Sequence, residues 1–350
     1  MSKHAKAIRI AILGASGYTG AELLRILVRH PRAAIVALTA DRRAGQAIES
    51  VFPHLRGLGL PQLVRIEEVD FSDIDVVFCC LPHGATQATV AALPEHLKII
   101  DLSADFRLAD TAAYAEWYGK SHQATALQKE AVYGLPELAR EAIAKARLIA
   151  CPGCYPTSAL LPLVPLLEAG LILAEDIVID SKSGVTGAGR SPKEEGLYAE
   201  VAEGIHAYGV GRHRHAPEIE QGLSRAVGVD VIVSFTPHLV PMNRGILSTI
   251  YVRLAKNVDA DGLRAALAAR YEKEAFVQVV PDGVLPATRH VRGSNVCRIG
   301  VFPDRQPGRA ILVSTLDNLV KGASGQAVQN FNLLSGILES TALEQVPLFP

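Results

Sequence analysis

The sequence predicts an α/β chain in two parts, a parallel sheet wound with helices followed by an α+β region. Three observations predict it. A strand, a glycine-rich turn and a helix open the chain, and buried-strand patterns then alternate with helical ones to about residue 150. Past Cys154 the texture changes to strands rich in Val and Ile. At 350 residues the chain also exceeds what one core usually fills, so two domains are expected.

Ile8–Leu13 reads as the first strand, Gly14-Ala15-Ser16-Gly17-Tyr18-Thr19-Gly20 as a tight turn, and Ala21–His30 as a helix closed by Pro31. Glycines let a backbone approach a pyrophosphate, a new helix offers it N–H groups, and the strand Ala34–Thr39 completes a βαβ unit. The spacing is Gly-x-x-Gly-x-x-Gly, and its strand-turn-helix context favours dinucleotide binding over a structural turn. At the end of the second strand, an acid would suit a ribose hydroxyl and an arginine a 2′-phosphate. Asp41, Arg42 and Arg43 supply both; the two arginines favour NADP and Asp41 keeps NAD open.

Asp75–Pro82 and Lys98–Leu102 read as buried parallel strands, with a helical stretch Thr86–Leu93 between them. The loops after them, His83–Ala85 and Ser103–Arg107, are candidate site loops, with Arg107 suited to a phosphate or carboxylate. In the second part, Asp176–Ser181, Val229–Phe235, Thr249–Leu254 and Ala310–Thr315 read as strands of a mostly antiparallel sheet, with a helix Asp261–Tyr271. Ala327–Leu338 reads as a closing helix that could return to the first domain.

Cys151-Pro152-Gly153-Cys154-Tyr155-Pro156 carries the chemistry, because a helix could begin at Thr157–Leu161. A cysteine beside a helix start meets unbonded N–H groups and the positive dipole end, which stabilise a thiolate and can hold an oxyanion. Cys154 is therefore a candidate nucleophile. Zinc is not expected, since neither a second Cys-x-x-Cys nor paired histidines complete a site, and the central position disfavours a thioredoxin-like motif. A buried apolar pair remains open. Downstream, His213 and His215, followed by Pro217 and Glu218 at a helix start, can present an imidazole with a carboxylate nearby to orient it. A thiol, an imidazole and a dinucleotide turn together describe covalent catalysis at the aldehyde oxidation level.

The net charge of −1 gives no excess of basic charge for nucleic acid or an acidic membrane. Leu160–Leu167 is the longest apolar run but is broken by Pro162 and Pro165, so no bilayer span is expected. Five cysteines, an odd count, and an opening Met-Ser-Lys-His-Ala-Lys without a signal peptide suggest a cytoplasmic protein with reduced thiols.

The glycine turn 14–20, Pro152–Thr157, Ser183–Arg190, His213–Ile219 and Lys321–Ala327 closely resemble the N-acetyl-γ-glutamyl-phosphate reductase family of arginine biosynthesis, in the family's order from about residue 8 to 340. The resemblance implies a Rossmann-type NADP-binding domain, residues 1–153 with 318–350, and a catalytic and oligomerisation domain, 154–317. The α+β catalytic domain would be of the aspartate-semialdehyde dehydrogenase and glyceraldehyde-3-phosphate dehydrogenase kind. It implies NADPH-dependent reduction of an acyl phosphate to a semialdehyde through a Cys154 thioester, in a homodimer or homotetramer.

The family's acid/base histidine falls on His213 or His215; His215 is favoured as the nearer to the helix start. Cofactor contacts are expected at Gly14, Ser16, Gly17, Tyr18, Thr19, Gly20, Arg42, Arg43, Ser183, Gly184, Asn318 and Gly325, and substrate contacts at Arg107, Arg190 and Arg244. Position 151, commonly Asn in the family, is Cys here, so oxidation could join it to Cys154. Alternatives are an aminoadipyl-phosphate reductase of lysine biosynthesis, an aspartate-semialdehyde dehydrogenase, whose motifs match less well, and a non-catalytic NADP-binding protein.

Overall fold

A computed structural model describes residues 6–350. Met1–Ala5, part of the opening read as lacking a signal peptide, lie outside the described residues. The chain divides into two compact units. One runs up to Pro152 and adds Ala323–Glu344; the other is Gly153–Gly322 with Gln345–Pro350.

Among the described residues the first unit holds seven strands: β1 (Ile8–Leu13), β2 (Ala33–Thr39), β3 (Leu63–Val64), β4 (Val76–Cys79), β5 (Lys98–Asp101), β6 (Val132–Tyr133) and β7 (Leu148–Ala150). They are all parallel, in the order β3-β2-β1-β4-β5-β7-β6. Ile10–Leu13 and Val76–Cys79 are buried throughout, as continuous apolar runs covered on both faces should be. The strand order reverses between β1 and β4, the point where doubly wound sheets open a crevice at their carboxyl ends.

The first helix is Tyr18–Leu27, starting three residues before the expected Ala21. Gly20 therefore lies inside it, at a place where a Cβ would sit 2.5 Å from the Ala15 carbonyl oxygen. The helix also ends before His30, whose Nε2 meets Asn332 Oδ1 at 2.9 Å. Asn332 belongs to the closing helix, Gly325–Leu334, which starts earlier and stops sooner than its Ala-Val-Phe-Leu pattern suggests. Gln326, Gln329, Asn330 and Asn332 on that helix are fully buried. Burial of so many amides demands partners: Asn330 Nδ2 donates to the Gly134 carbonyl at 2.9 Å and Gln329 Nε2 to Glu137 at 3.0 Å.

The second unit carries β8 (Ile177–Gly184), β9 (His206–Ala207), β10 (Val233–Val240), β11 (Ile246–Arg253), β12 (Val277–Val279), β13 (Cys297–Pro303) and β14 (Arg309–Leu316). Their order is β12-β13-β14-β11-β8-β10-β9; the β8–β10 and β12–β13 ladders are parallel and the rest antiparallel. The strand expected at Val229–Phe235 lies at Val233–Val240, where Pro237 weakens the sequence signal for its second half. Three strands, β9, β12 and β13, were not expected at all.

Buried at the centre of this unit is the helix Cys154–Glu168, in which Tyr155–Leu167 are all inaccessible. It begins at Cys154, ahead of the expected Thr157, and continues through Pro162 and Pro165. Pro165 has no N–H for the Leu161 carbonyl, and Tyr271 Oη takes that acceptor instead at 2.5 Å. Against the neighbouring helix Ala216–Val227 the approach is close enough that a Cβ on Gly222 would lie 2.6 Å from Leu160 Cδ2. Among the described residues, no helix is long and apolar enough to cross a membrane.

Candidate active site

In the first unit the glycine turn is shaped by its own packing. Gly14 has φ +79°, and a Cβ there would sit 2.5 Å from the Cys80 carbonyl oxygen at the end of β4. Thr39 at the end of β2 anchors the turn, accepting from the Gly14 amide at 3.2 Å through its hydroxyl and from Ala15 at 2.8 Å through its carbonyl. Gly17 is the N-cap of the helix, with no side-chain cap and no acid in the first turn, and a Cβ there would meet nothing closer than 3.7 Å. Ser16 stands before it, and Tyr18 and Thr19 begin the helix; the Thr19 carbonyl accepts from Ser324 Oγ at 2.9 Å, just ahead of Gly325. First-turn amides facing such room fit a dinucleotide's pyrophosphate. Asp41, Arg42 and Arg43 are exposed in the turn after β2, and Arg43 reaches Gln46 at 3.4 Å.

Arg107 is buried; its Nε donates to the Cys151 carbonyl at 2.8 Å and Nη2 to Leu102 at 3.0 Å. It thus braces the end of β7, three residues before Cys154 in sequence. Asp105, beside it, is fully buried and accepts from the amides of Gly84, Thr86 and Gln87 and from Tyr114 Oη. That carboxylate fixes the loop holding His83. Burial pushes the Asp101 carboxyl up to about 7 and the Cys151 thiol up to about 12.

In the second unit Cys154 is the first residue of its helix and Gly153 the N-cap. Cys154 is partly exposed. The Gly153 amide donates to Glu218 Oε1 at 2.8 Å, so a carboxylate almost wholly buried in the first turn of Ala216–Val227 ties the cysteine turn to the histidine segment 65 residues on. His215 is the N-cap of that second helix. Two helix starts, one with a thiol and one with an imidazole, are thereby joined.

Aromatic rings pack between them. Tyr155 lies 5.5 Å from His213 and 5.7 Å from His215 between ring centres, and the two imidazoles are 4.8 Å apart. His213 Nδ1 accepts from the His215 amide at 3.1 Å, and burial, with Arg214 adding to it, lowers its pKa to about 4. A neutral His213 therefore carries its proton on Nε2 and holds the His215 backbone. The Tyr155 and Tyr208 hydroxyls bond each other at 2.9 Å; burial raises both, Tyr208 to about 12. Neither is a phenolate at neutral pH.

A cluster of loops lies at the carboxyl end of β8. Gly184 meets the Asn243 carbonyl so closely that a Cβ would be 2.7 Å away, and Ser183, also buried, donates to the Gly184 carbonyl at 3.0 Å. Asn318 spans the cluster, accepting from the Gly245 amide at 2.8 Å and donating to Thr186 at 3.0 Å. Arg190 is exposed beyond the turn, and Arg244 lies 3.7 Å from the buried Asp317 carboxylate.

Residues 9–146 match the semialdehyde dehydrogenase NAD-binding domain and residues 154–318 the semialdehyde dehydrogenase dimerisation domain. The chain is 64% identical to the N-acetyl-γ-glutamyl-phosphate reductase of Rhodospirillum rubrum, over 98% of this chain and 99% of that protein. The chain belongs to the N-acetyl-γ-glutamyl-phosphate reductase family. A probable chloroplastic N-acetyl-γ-glutamyl-phosphate reductase of Arabidopsis thaliana is 61% identical, over 99% of this chain and 87% of that protein. Among solved structures, aspartate semialdehyde dehydrogenase II of Vibrio cholerae aligns with TM-score 0.74 at 19% identity, over 95% of this chain and 99% of that one. That likeness shows the fold, a Rossmann-like parallel sheet with a second mixed sheet.

In this member of the reductase family, several residues at the site escaped the sequence reading. Tyr208 had a faint signal, standing in the same glycine-rich stretch as the histidines. Asp105 was marked only by its place in the candidate loop Ser103–Arg107 and Asp317 not at all, since one acid in a loop looks like any other until its amide donors are known.

Proposed function

We propose that the chain reduces N-acetyl-γ-glutamyl phosphate to the semialdehyde and phosphate, with NADPH, in arginine biosynthesis. The single observation that carries this reading is Cys154 at a helix start, tied by Glu218 to the histidine-bearing helix start. In this reading the first unit binds the cofactor and the second carries the covalent chemistry.

Helix amides and the dipole stabilise the Cys154 thiolate. It attacks the acyl carbon, a C–S bond forms, and the C–O bond to phosphate breaks with its electrons leaving on phosphate. Gly14, Ser16, Gly17, Tyr18, Thr19 and Gly20 would hold NADPH, which when bound would supply the hydride that takes the thioester to the aldehyde oxidation level. Amides at the Cys154 helix start hold the resulting oxyanion, and His215 gives it a proton and takes it back as the C–S bond breaks. His213, neutral, keeps His215 in place. Arg190 and Arg244 are assigned to the anionic groups of the substrate, with the Arg107 charge beside the end of β7 assisting. Ser183, Gly184, Asn318 and Gly325 complete the cofactor contacts, and Arg42 and Arg43 the preference for a 2′-phosphate.

The match to a dimerisation domain supports a homodimer or homotetramer formed through the second unit. A cytoplasmic setting with reduced thiols fits a family whose nucleophile is a cysteine. The test is NADPH oxidation with N-acetyl-γ-glutamyl, aminoadipyl and aspartyl phosphates in parallel. Preference for the first, with a loss of at least about 10³-fold in Cys154→Ser, supports the reading. Wild-type turnover in Cys154→Ser would sink it.

A further inference from the structure

We propose that the turn from Asp317 to Gly322 is the seat of the nucleophile, with Gly322 as a positioning residue for Cys154. The inference rests on the reading of Cys154 as nucleophile and adds a residue to it. The starting observation is a π-helical turn, Val320–Ser324, directly before the closing helix. Such wide turns are rare and usually serve a site. Here one buried carboxylate shapes it. Asp317 Oδ1 accepts from the amides of Leu319 at 2.9 Å and Val320 at 3.3 Å, Oδ2 accepts from Gly293 at 2.7 Å, and the Asp317 carbonyl accepts from the Gly322 amide at 3.0 Å. The last bond spans five residues, which is what widens the turn.

The widening brings the Gly322 backbone onto Cys154. A Cβ at Gly322 would lie 2.7 Å from Cys154 Cβ and 3.2 Å from its Cα, with Leu316 Cδ1 also at 3.2 Å. The obstructing atoms are the nucleophile's own backbone and Cβ, at the start of a helix buried on all sides, so they cannot step aside without carrying the sulfur with them. Glycine at 322 thus sets where the thiol pivots. Asp317 Oδ2 also lies 3.7 Å from Arg244, so a residue assigned to the substrate and the turn that seats the thiol share one carboxylate.

The test is Gly322→Ala. Both kcat and the rate of Cys154 alkylation by iodoacetamide should fall at least about tenfold, because a small displacement of a reacting atom is costly, while KM for NADPH stays within about twofold. A purely structural glycine would leave the alkylation rate of folded enzyme unchanged. Alkylation and kcat both within about twofold of wild type would overturn the proposal. Melting temperature supplies the second arm: Gly322→Ala should destabilise the native protein more than the Cys154→Gly background, where the nearest obstructing atom, the Cβ, is gone. If Gly322→Ala alone does not fold, recovery of folding in the double variant supports the seat, and continued failure shows that the Cys154 Cβ is not the obstruction and overturns it. A dead Cys154→Ser with an unaltered Gly322→Ala rejects this inference alone; an active Cys154→Ser rejects the nucleophile beneath it.

Discussion

Cys154 differs from its fellow cysteines by place more than by sequence. Cys79 and Cys151 are buried, and burial drives the Cys79, Cys80 and Cys151 thiols upward, the last two to about 12. Cys154 alone among these four opens a long helix. Iodoacetamide at neutral pH should therefore label Cys154 before any of the other three, and peptide mapping would read it; first labelling at Cys80 or Cys151 would contradict the assignment. Cys151 and Cys154, three residues apart, are not joined by a disulfide in this structure, and burial raises the Cys151 thiol.

His213 makes a second prediction at this scale. Its folded pKa of about 4 lies below the ordinary 6.5, so between those values the unfolded chain binds the proton more readily. Its contribution to stability is complete above pH 6.5 and is lost as pH falls towards 4. In His213→Asn, whose side-chain oxygen can still accept from the His215 amide, the urea midpoint should fall less steeply over that window than in wild type. Equal slopes would show that His213 titrates normally.

At the scale of elements, the cysteine helix shows what sequence could and could not convey. Its existence was legible from Thr157–Leu161, but its start was not. Pro156 suits a first turn, so a helix beginning at Cys154 violates nothing, yet nothing local selects it over Thr157. Nor could the sequence announce that Pro162 and Pro165 would lie inside, because the missing ladder bond at Leu161 is replaced by a hydroxyl from Tyr271, 110 residues on. Tyr271→Phe leaves that carbonyl buried without the hydroxyl, and should cost about 1–3 kcal/mol by chemical denaturation, with little change in KM. A change within about 0.5 kcal/mol would mean that the carbonyl finds another donor. The glycine turn was more legible, since its strand-turn-helix context is local and Gly20 is fixed by a close approach to Ala15 within it, although Gly14 packs against the Cys80 carbonyl at the end of β4.

For the whole molecule, the first unit was easier to read than the second. Parallel strands buried on both faces give continuous apolar runs, and β1, β2, β4 and β5 all stand close to where those runs place them. The second sheet mixes parallel and antiparallel ladders, and β12 is only three residues long, so neither length nor alternation marks it. The closing helix misled at both ends because its amides are buried and bonded to residues some 200 positions away, a pattern that polar periodicity cannot anticipate. Light scattering of the purified chain should give the mass of a dimer or tetramer. A monomer at micromolar concentration would remove the proposed assembly through the second unit.

The central claim is that Cys154 carries the acyl group, and the most direct measurement mixes the enzyme with N-acetyl-γ-glutamyl phosphate in the absence of NADPH. Phosphate release and the mass of the peptide holding Cys154 are followed together. A Cys154 nucleophile gives a burst of about one phosphate per site and an acyl adduct on Cys154 that disappears when NADPH is added. Phosphate released only in the presence of NADPH, with no adduct on Cys154, would contradict it.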